Sequence, residues 1–345
     1  MAAPAGSRRS APLRRPADAA PLPRGPMPGS GFHRAQAALL ASPVPSKEGL
    51  TGGAGESGSM QLRRKLLGQY FTPPTVVDFA LQALRWLGGT ACAPPCESLL
   101  DPSCGDGAFV RAAVEGGYVM PSRAWGLDRD PSLREQWVES GLYRSDGPNL
   151  HVADGLLEDP RQWGAPQGGF HWVVGNPPYA GEGLKSADAA LLADVVARFA
   201  LCARRFGRVP DPEQVRRFPV EVLFLERFWQ LCRPGGLMAI VLPVGIFAND
   251  RWRFVREWLV DVTTIHAVVG LPRRAFGAHG ITAKTCLAVL GKSAPPPGHQ
   301  VALAEVERIG VAGEPNDLPG VLELWANGRS MAAELAPWRA AVRDL

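Results

Sequence analysis

The sequence lacks the features of several protein classes. Its six cysteines form no CxxC pair and its six histidines are scattered without ligand spacing, so we expect no metal site and reduced cysteines, as in the cytoplasm. No apolar run reaches the roughly 18 residues that a membrane span needs, and no compact apolar segment typical of a signal peptide begins the chain. These absences favour a soluble cytoplasmic protein with no membrane partner.

An excess of charge of one sign is also missing from most of the chain. The formal net charge is +4, but seven of the 37 Lys and Arg residues and three of the 33 Asp and Glu residues lie within residues 1–59. The remaining 30 basic and 30 acidic residues balance. Net charge therefore gives no argument for a nucleic-acid partner, and such an argument needs local patches.

Composition divides the chain into three parts. Residues 1–59 are rich in Pro, Gly, Ala and Ser without apolar periodicity, which predicts a disordered tail, either a basic arm that grips DNA or a leader without function. Residues 60–292 carry the apolar segments of a catalytic domain, interrupted by an insert over residues 180–219. Residues 293–345 form a short C-terminal extension that could contact DNA or a partner.

From Met60 onward, short apolar runs alternate with amphipathic segments. The runs predict strands at Ser98–Leu100, Ala124–Leu127, Leu150–Ala153, Trp172–Gly175, Leu237–Leu242, Ile265–Gly270 and Thr285–Leu290, with one more at Val301–Val306 in the extension. The amphipathic segments predict helices at Pro74–Trp86, Gly107–Glu115, Leu133–Ser140, Val220–Leu231 and Asp250–Leu259. This order predicts an α/β fold with a doubly wound, mostly parallel seven-stranded sheet, whose ligands bind at the carboxyl ends of the strands.

Three successive predicted strands end near an acidic residue. Asp101 begins the turn Asp101–Gly107, whose glycines Gly105 and Gly107 let the backbone approach a ligand closely. Asp128, at the end of the second strand, can accept hydrogen bonds from ribose hydroxyls, and Asp154, after the third, can accept one from an adenine amino group. A single strand-end Asp is usually a helix cap or turn former, but three in succession indicate a nucleoside site.

The motif with the most specific chemistry follows the fourth strand, at Asn176-Pro177-Pro178-Tyr179. Two prolines stiffen the loop, so the Asn176 side-chain oxygen and neighbouring carbonyls form a fixed set of acceptors. Acceptors placed this way bind both hydrogens of an amino group on an aromatic ring and turn its lone pair towards an electrophilic methyl. Tyr179 would supply a face on which a flipped base can stack.

These motifs, in this order, resemble the amino-methyltransferases of bacterial restriction-modification systems. The resemblance rests on Gly68–Pro74, Asp101–Gly107, Asp128, Asp154 and Asn176–Tyr179, and extends over roughly residues 66–324. It is strongest to type I modification subunits and related N6-adenine enzymes. It implies a Rossmann-like class I methyltransferase fold, S-adenosylmethionine as cofactor, no metal, and transfer of a methyl group to the N6 amino group of adenine in double-stranded DNA.

The resemblance also implies roles for individual residues. Tyr70, Phe71 and Thr72 would close over the cofactor. Asp101, Cys104, Gly105 and Gly107 would hold its amino-acid end, Asp128 its ribose and Asp154 its adenine. Asn176, Pro177, Pro178 and Tyr179 would bind the target amine, and Phe276 would contact the flipped base.

Two questions stay open at the level of sequence. The same Asn-Pro-Pro-Tyr loop also serves methylation of a protein glutamine amide and of ribosomal RNA adenine, and a non-catalytic DNA-binding subunit could retain the fold. Little sequence follows Gly291 for target recognition, so a separate specificity subunit, and a restriction subunit, are expected partners. Arginine clusters around residues 204–217, 251–256 and 273–274 are either phosphate contacts or solvated helix faces.

Overall fold

The fold is given by a computed structural model that describes residues 72–88, 96–179, 183–273, 275–276 and 284–326. The tail predicted to be disordered, residues 1–59, and the end of the extension beyond residue 326 lie outside the described residues. Within the described part of the chain, helices cover both faces of a central sheet. The predicted α/β class is confirmed.

The sheet has eight strands in the order β3-β2-β1-β4-β5-β7-β6-β8. They are β1 (Leu99–Asp101), β2 (Ala124–Asp128), β3 (Asn149–Val152), β4 (Phe170–Gly175), β5 (Cys232–Pro243), β6 (Thr264–Gly270), β7 (Thr285–Gly291) and β8 (Ala302–Glu305). Strand β7 runs antiparallel to both of its neighbours, and every other pair is parallel. The predicted mostly parallel sheet is therefore present.

The predicted number of seven strands is wrong by one. The strand expected at Val301–Val306 in the extension does not stand apart from the sheet: as β8 it pairs in parallel with β6, from Ala267 opposite Ala302 to Gly270 opposite Glu305. Its pairing satisfies backbone groups that would otherwise form an open edge of β6. Strand β5 also begins earlier than predicted, because pairing with β4 resumes at Cys232 beyond a bulge over residues 233–236.

The helices lie where apolar residues recur with helical spacing. They are α1 (Pro74–Leu87), α2 (Ala108–Glu115), α3 (Leu133–Glu139), α4 (Ala189–Arg198), α5 (Ala200–Phe206), α6 (Pro212–Val215), α7 (Val220–Leu231), α8 (Gly245–Ala248), α9 (Arg253–Val262) and α10 (Leu318–Ala326). Proline as the first helical residue suits α1, since its missing N–H has no partner there. The predicted bounds of α7 are those observed.

Two apolar cores lie on opposite faces of the sheet. One core packs α4, α5, α7 and α9 against residues such as Met238 and Ile240, and the other packs α1, α2, α3 and α10 against Ala239 and Val241. These four residues alternate along β5, as expected for a central strand buried on both sides. The insert helices α4 and α5 therefore belong to the main core and do not project from it.

The parallel strands bring the predicted strand-end residues to one edge. Strands β3, β2, β1 and β4 are consecutive neighbours, with Asp101 opposite Gly126 and Asp128 opposite Val152. Because carboxyl ends of parallel strands meet at the same edge, Asp101, Asp128, Asp154 and Asn176 enter one region.

Gly155 is where the loop after β3 touches the loop after β1. A Cβ atom at this position would overlap the carbonyl oxygen of Pro102, a backbone atom that cannot rotate away. Only glycine therefore permits the two loops to pack this closely.

We expect Gly155→Ala to lower the free energy of unfolding by roughly 1–3 kcal/mol, the usual cost of overpacking a tight contact. Gly168→Ala is the matched control, since a Cβ there meets nothing within 4 Å, and it should change stability by less than about 0.5 kcal/mol. Urea unfolding followed by circular dichroism measures both values. Equal stability of the two variants would contradict the packing argument.

Candidate active site

A cavity at the carboxyl edge of the sheet collects most of the residues singled out in the sequence. Those that line it are Thr72, Asp101, Cys104, Gly105, Asp128, Asp154, Asn176 and Pro178. They come from the ends of β1 to β4 and from the residues that precede α1. Tyr70 and Phe71 lie outside the described residues.

The turn after β1 is fixed by backbone hydrogen bonds. The Asp101 carboxylate is buried, and its Oδ1 accepts a hydrogen bond from Ser103 N at 3.0 Å. Gly175 makes room for it, since a Cβ at Gly175 would lie 2.5 Å from Asp101 Oδ1. Gly107 does not line the cavity but is the N-cap of α2 in a left-handed conformation, with φ of 83°. Gly107 therefore lies at the end of the predicted turn, and its contact with the cofactor stays a prediction.

Asp128 connects the end of β2 to this turn. Its Oδ2 accepts from Gly105 N at 2.9 Å and its Oδ1 from Asp130 N at 3.0 Å. Cys104 N also donates to Leu127 O at 2.9 Å, so the β1 turn lies directly over the end of β2. The Cys104 side chain packs below, where a Cβ at Gly126 would meet its sulfur at 3.0 Å.

Burial perturbs the acidity of these groups. It raises the pKa of Asp101 well above its usual value, and the nearby charges of Asp128 and Asp106 add to that increase. Burial also raises the pKa of Asp128, although hydrogen bonds from the Asp130 and Gly105 backbone oppose the increase. Burial and the same carboxylates raise the pKa of the Cys104 thiol. Such a group of buried acids favours a ligand with positive charge.

Asp154 begins a loop that turns back over the cavity. Its Oδ1 accepts a hydrogen bond from Leu156 N at 2.9 Å, and its own N–H donates to Glu158 Oε1 at 2.8 Å. Asp154 is thus a turn former, as an isolated strand-end Asp usually is, and it also lines the cavity. Ala153 N donates to Asp128 O at 2.8 Å, which joins this loop to the end of β2.

The Asn-Pro-Pro-Tyr motif is divided between the cavity and the core. Asn176 and Pro178 line the cavity, whereas Pro177 is not among its lining residues. The Tyr179 side chain is only 1% exposed and its ring contacts the Phe276 ring edge-on, with centroids 6.5 Å apart. Phe276 is itself buried, so the structure brings these two residues together, and neither is among the residues that line the cavity.

The sequence interpretation missed the apolar wall of the cavity. Its members are Leu156, Leu157, Leu184, Leu191, Val220 and Phe224. Leu191 comes from insert helix α4, and Val220 and Phe224 come from α7, whose apolar stripe the sequence assigns to the core. Arg129, next to Asp128, also lines the cavity.

The arginine clusters separate into two groups. Arg216 pairs with Glu213, Arg204 pairs with Asp261, and buried Arg256 donates to the carbonyl oxygens of Ile246 and Asn249. Three exposed members of the clusters take part in no ion pair within the described residues: Arg205, Arg217 and Arg251. Arg205 and Arg251 both lie over the ring of Trp252, with guanidinium carbons 5.5 and 4.8 Å from its centroid.

Two further findings on the described residues concern metal ions and membranes. They contain no group of three or more His, Cys, Asp and Glu side chains arranged to hold a metal ion. Nor does any helix among them combine the length and the apolar character needed to cross a membrane.

Solved structures with the same fold are methyltransferases and restriction-modification proteins. A Listeria monocytogenes protein assigned to the class I S-adenosylmethionine-dependent methyltransferases superposes with a TM-score of 0.56 at 18% identity, covering 87% of this chain and 79% of that one. The type I restriction-modification methyltransferase subunit of Streptococcus thermophilus gives a TM-score of 0.54 at 22% identity, covering 74% and 52%. The fold is therefore that of a class I S-adenosylmethionine-dependent methyltransferase.

Proteins related in sequence are also named as methyltransferases. The type II methyltransferase M.TthHB8I of Thermus thermophilus is 28% identical over 200 residues, which are 56% of this chain and 38% of that protein. The EcoEI methylase subunit of a type I restriction enzyme of Escherichia coli is 24% identical over 224 residues, 61% of this chain and 40% of that subunit. The chain thus spans about two fifths of the length of these relatives. The sequence model of the N-6 DNA methylase family matches residues 60–313, and the chain belongs to that family.

Proposed function

We propose that the protein transfers a methyl group from S-adenosylmethionine to the N6 amino group of adenine in double-stranded DNA. The observation that carries the proposal is the convergence of Asn176 with Asp101, Asp128 and Asp154 on one cavity. Membership of the N-6 DNA methylase family supports the choice of acceptor.

The lining of the cavity fits this cofactor. The buried Asp101 carboxylate and the glycine turn beside it suit the positively charged amino-acid end. Two backbone N–H groups hold the Asp128 carboxylate, which would accept from the ribose hydroxyls, and Asp154 borders an apolar wall that would suit an adenine ring. Bound there, the sulfonium supplies an activated methyl group, so the protein need not provide a metal or a nucleophile.

The target amine would meet the loop after β4. In our proposal the Asn176 side-chain oxygen and a main-chain carbonyl of the loop accept its two hydrogens, which turns the nitrogen lone pair towards the methyl group. Pro177 and Pro178 restrict the loop, so these acceptors need little reorganisation. Stacking of the base on Tyr179 requires that its ring, now packed on Phe276, becomes exposed when DNA binds.

We further assign DNA contact to the exposed arginines near the insert. Arg205 and Arg251 flank Trp252. The Arg205 guanidinium also lies 5.6 Å from the ring of Phe218, and Phe218 comes two positions before Val220, which lines the cavity. Phosphate contacts orient an enzyme on a duplex without reading its sequence. We also propose that a separate specificity subunit reads the target and that a restriction subunit belongs to the full assembly, since one relative is named as the methylase subunit of a type I restriction enzyme.

Expression in a host that lacks adenine methylation tests the activity. We expect new N6-methyladenine at a defined sequence, detected by mapping at base resolution, when a specificity protein encoded nearby is also supplied. Competition among duplex DNA, ribosomal RNA and a release factor for labelled methyl groups distinguishes the acceptors. Labelling of RNA or protein in preference to DNA would refute the DNA assignment.

Substitutions separate catalysis from cofactor binding. Asn176→Ala should bind S-adenosylmethionine like the wild type but lose at least about 100-fold in turnover, since it removes an acceptor that acts on the reacting amine. Asp128→Ala should instead weaken cofactor affinity by about 10- to 100-fold, through loss of charged hydrogen bonds to the ribose and of those that hold the β1 turn.

Calorimetry measures the cofactor affinity of each variant, and the rate of methyl transfer to DNA measures its turnover. Asp146→Ala is the control for Asp128→Ala, because Asp146 is exposed and pairs with Arg144. A native rate for Asn176→Ala would show that the assigned mechanism is wrong.

Cofactor affinity should decrease as the pH is lowered, and the decrease should begin at a pH above the range in which an ordinary aspartate titrates. Burial raises the pKa of Asp101, so this group takes up a proton at a higher pH than an ordinary aspartate does and then loses its attraction for the cofactor's ammonium group. Binding of the cation favours the carboxylate and lowers the pKa, which fixes the sign of the effect. Dissociation constants for S-adenosylmethionine should vary less with pH in Asp101→Asn than in the wild type. Parallel curves for the two proteins would contradict the expectation.

A further inference from the structure

Two arginines that the sequence clusters do not include converge on the loop after β3, residues 154–158, which we call the β3 loop. Arg227, on α7, donates from Nε to Gly155 O at 3.1 Å and from Nη2 to Glu158 O. Arg198, the last residue of α4, donates from Nη1 to Leu157 O at 2.6 Å. Three of the loop's five carbonyl groups are thus bound by guanidinium groups from two different helices.

Stability of the fold alone gives no reason for an arginine at position 227. The side chain is buried, and burial lowers its pKa to about 10, so it stays charged at neutral pH. Its hydrogen-bond acceptors are main-chain carbonyls and, at 3.5 Å, the Gln230 amide oxygen. Burying a charge costs several kcal/mol, and a well-packed apolar side chain is often as stable or more stable. The feature that an apolar residue cannot supply is the fixed position of those carbonyls.

The loop held in this way forms one end of the cavity. Asp154, Gly155, Leu156 and Leu157 all line it. On the opposite side, Gly155 packs against the Pro102 carbonyl, so the arginines and Pro102 determine the position of the loop between them. Inside the loop, Glu158 accepts from Asp154 N and Asp154 accepts from Leu156 N.

Helix α7 also holds the main chain that carries Arg198, the second arginine. The Glu226 carboxylate accepts from Ala200 N at 2.7 Å and Leu201 N at 2.9 Å, which caps insert helix α5. Gln230 Nε2 donates to Arg198 O at 2.9 Å. The main chain that carries Arg198 is therefore attached to the same helix as Arg227.

We propose that Arg227 and Arg198 are positioning residues, which hold the β3 loop so that Asp154 and its neighbours recognise the adenine of the cofactor. This inference rests on the proposed function, because it assigns the adenine of S-adenosylmethionine to this end of the cavity. Neither arginine lines the cavity, so both act through the loop.

Arg227→Met tests the proposal, since methionine keeps most of the side-chain length and removes charge and donors. The probes are S-adenosylmethionine, 5′-methylthioadenosine, which lacks the amino-acid end, and 5′-methylthioinosine, in which a 6-oxo group replaces the amino group. Arg256→Met is the matched control, because Arg256 is also buried and bonded to two carbonyls, but those of Ile246 and Asn249, which do not line the cavity. Calorimetry is performed at a temperature where circular dichroism shows each variant to be folded.

We expect Arg227→Met to weaken binding of S-adenosylmethionine and of methylthioadenosine by a similar factor, about tenfold. This is the effect of losing one hydrogen bond to a charged group, here the bond from the adenine amino group to Asp154. The wild-type preference for methylthioadenosine over methylthioinosine should decrease in the variant, because Asp154 no longer meets the amino group at a fixed position. Arg227→Lys should restore part of that preference, and Arg256→Met should leave affinity and preference unchanged.

A folded Arg227→Met that keeps wild-type affinity and preference would overturn the proposal. If that variant does not fold, Arg198→Met replaces it, since Arg198 is only half-buried and makes one bond to the loop; unchanged adenine preference there would equally overturn it. A wild-type protein that binds none of the adenosine probes would instead refute the proposed function, and with it the positioning role.

Discussion

The geometry of the cavity depends on the buried carboxylate of Asp128. It accepts N–H groups from the β1 turn and from its own loop, and its carbonyl oxygen accepts from the end of β3. Three strand ends are therefore joined at one residue. Hydrogen bonds to a charged acceptor are stronger than those between neutral groups, and low surrounding polarity strengthens them further.

Burial of this carboxylate beside Asp101 has an electrostatic cost that the backbone only partly offsets. Both groups have raised pKa values because burial disfavours their charged forms, and they repel each other when ionised. A cation in this cavity relieves both effects, and it is attracted more strongly than at a surface exposed to water. The same arrangement that orients the β1 turn thus also selects the charge of the ligand.

Sequence patterns predicted the strands, the main helices and the residues at the strand ends, because each depends on local periodicity and on the direction of parallel strands. The apolar wall could not be predicted, since the stripe that brings Val220 and Phe224 to the cavity is indistinguishable from one that packs only in a core. The burial of Tyr179 depends on Phe276, far along the chain, and the place of β8 depends on pairing with β6. Arginine density in the sequence was also a poor guide, because Arg227 and Arg198 reach the β3 loop from helices outside the dense clusters.

The attachment of the insert to α7 limits how this domain can recombine. Glu226 and Gln230 bind the main chain of the insert, while Leu191 of the insert completes the cavity wall. In a chimera that took residues 183–219 from another family member, the Glu226 and Gln230 side chains would face a different main chain. Their buried polar atoms would then lose their hydrogen-bond partners. Crossovers that preserve a working domain therefore fall outside residues 183–231, so that the insert and α7 are inherited as one block.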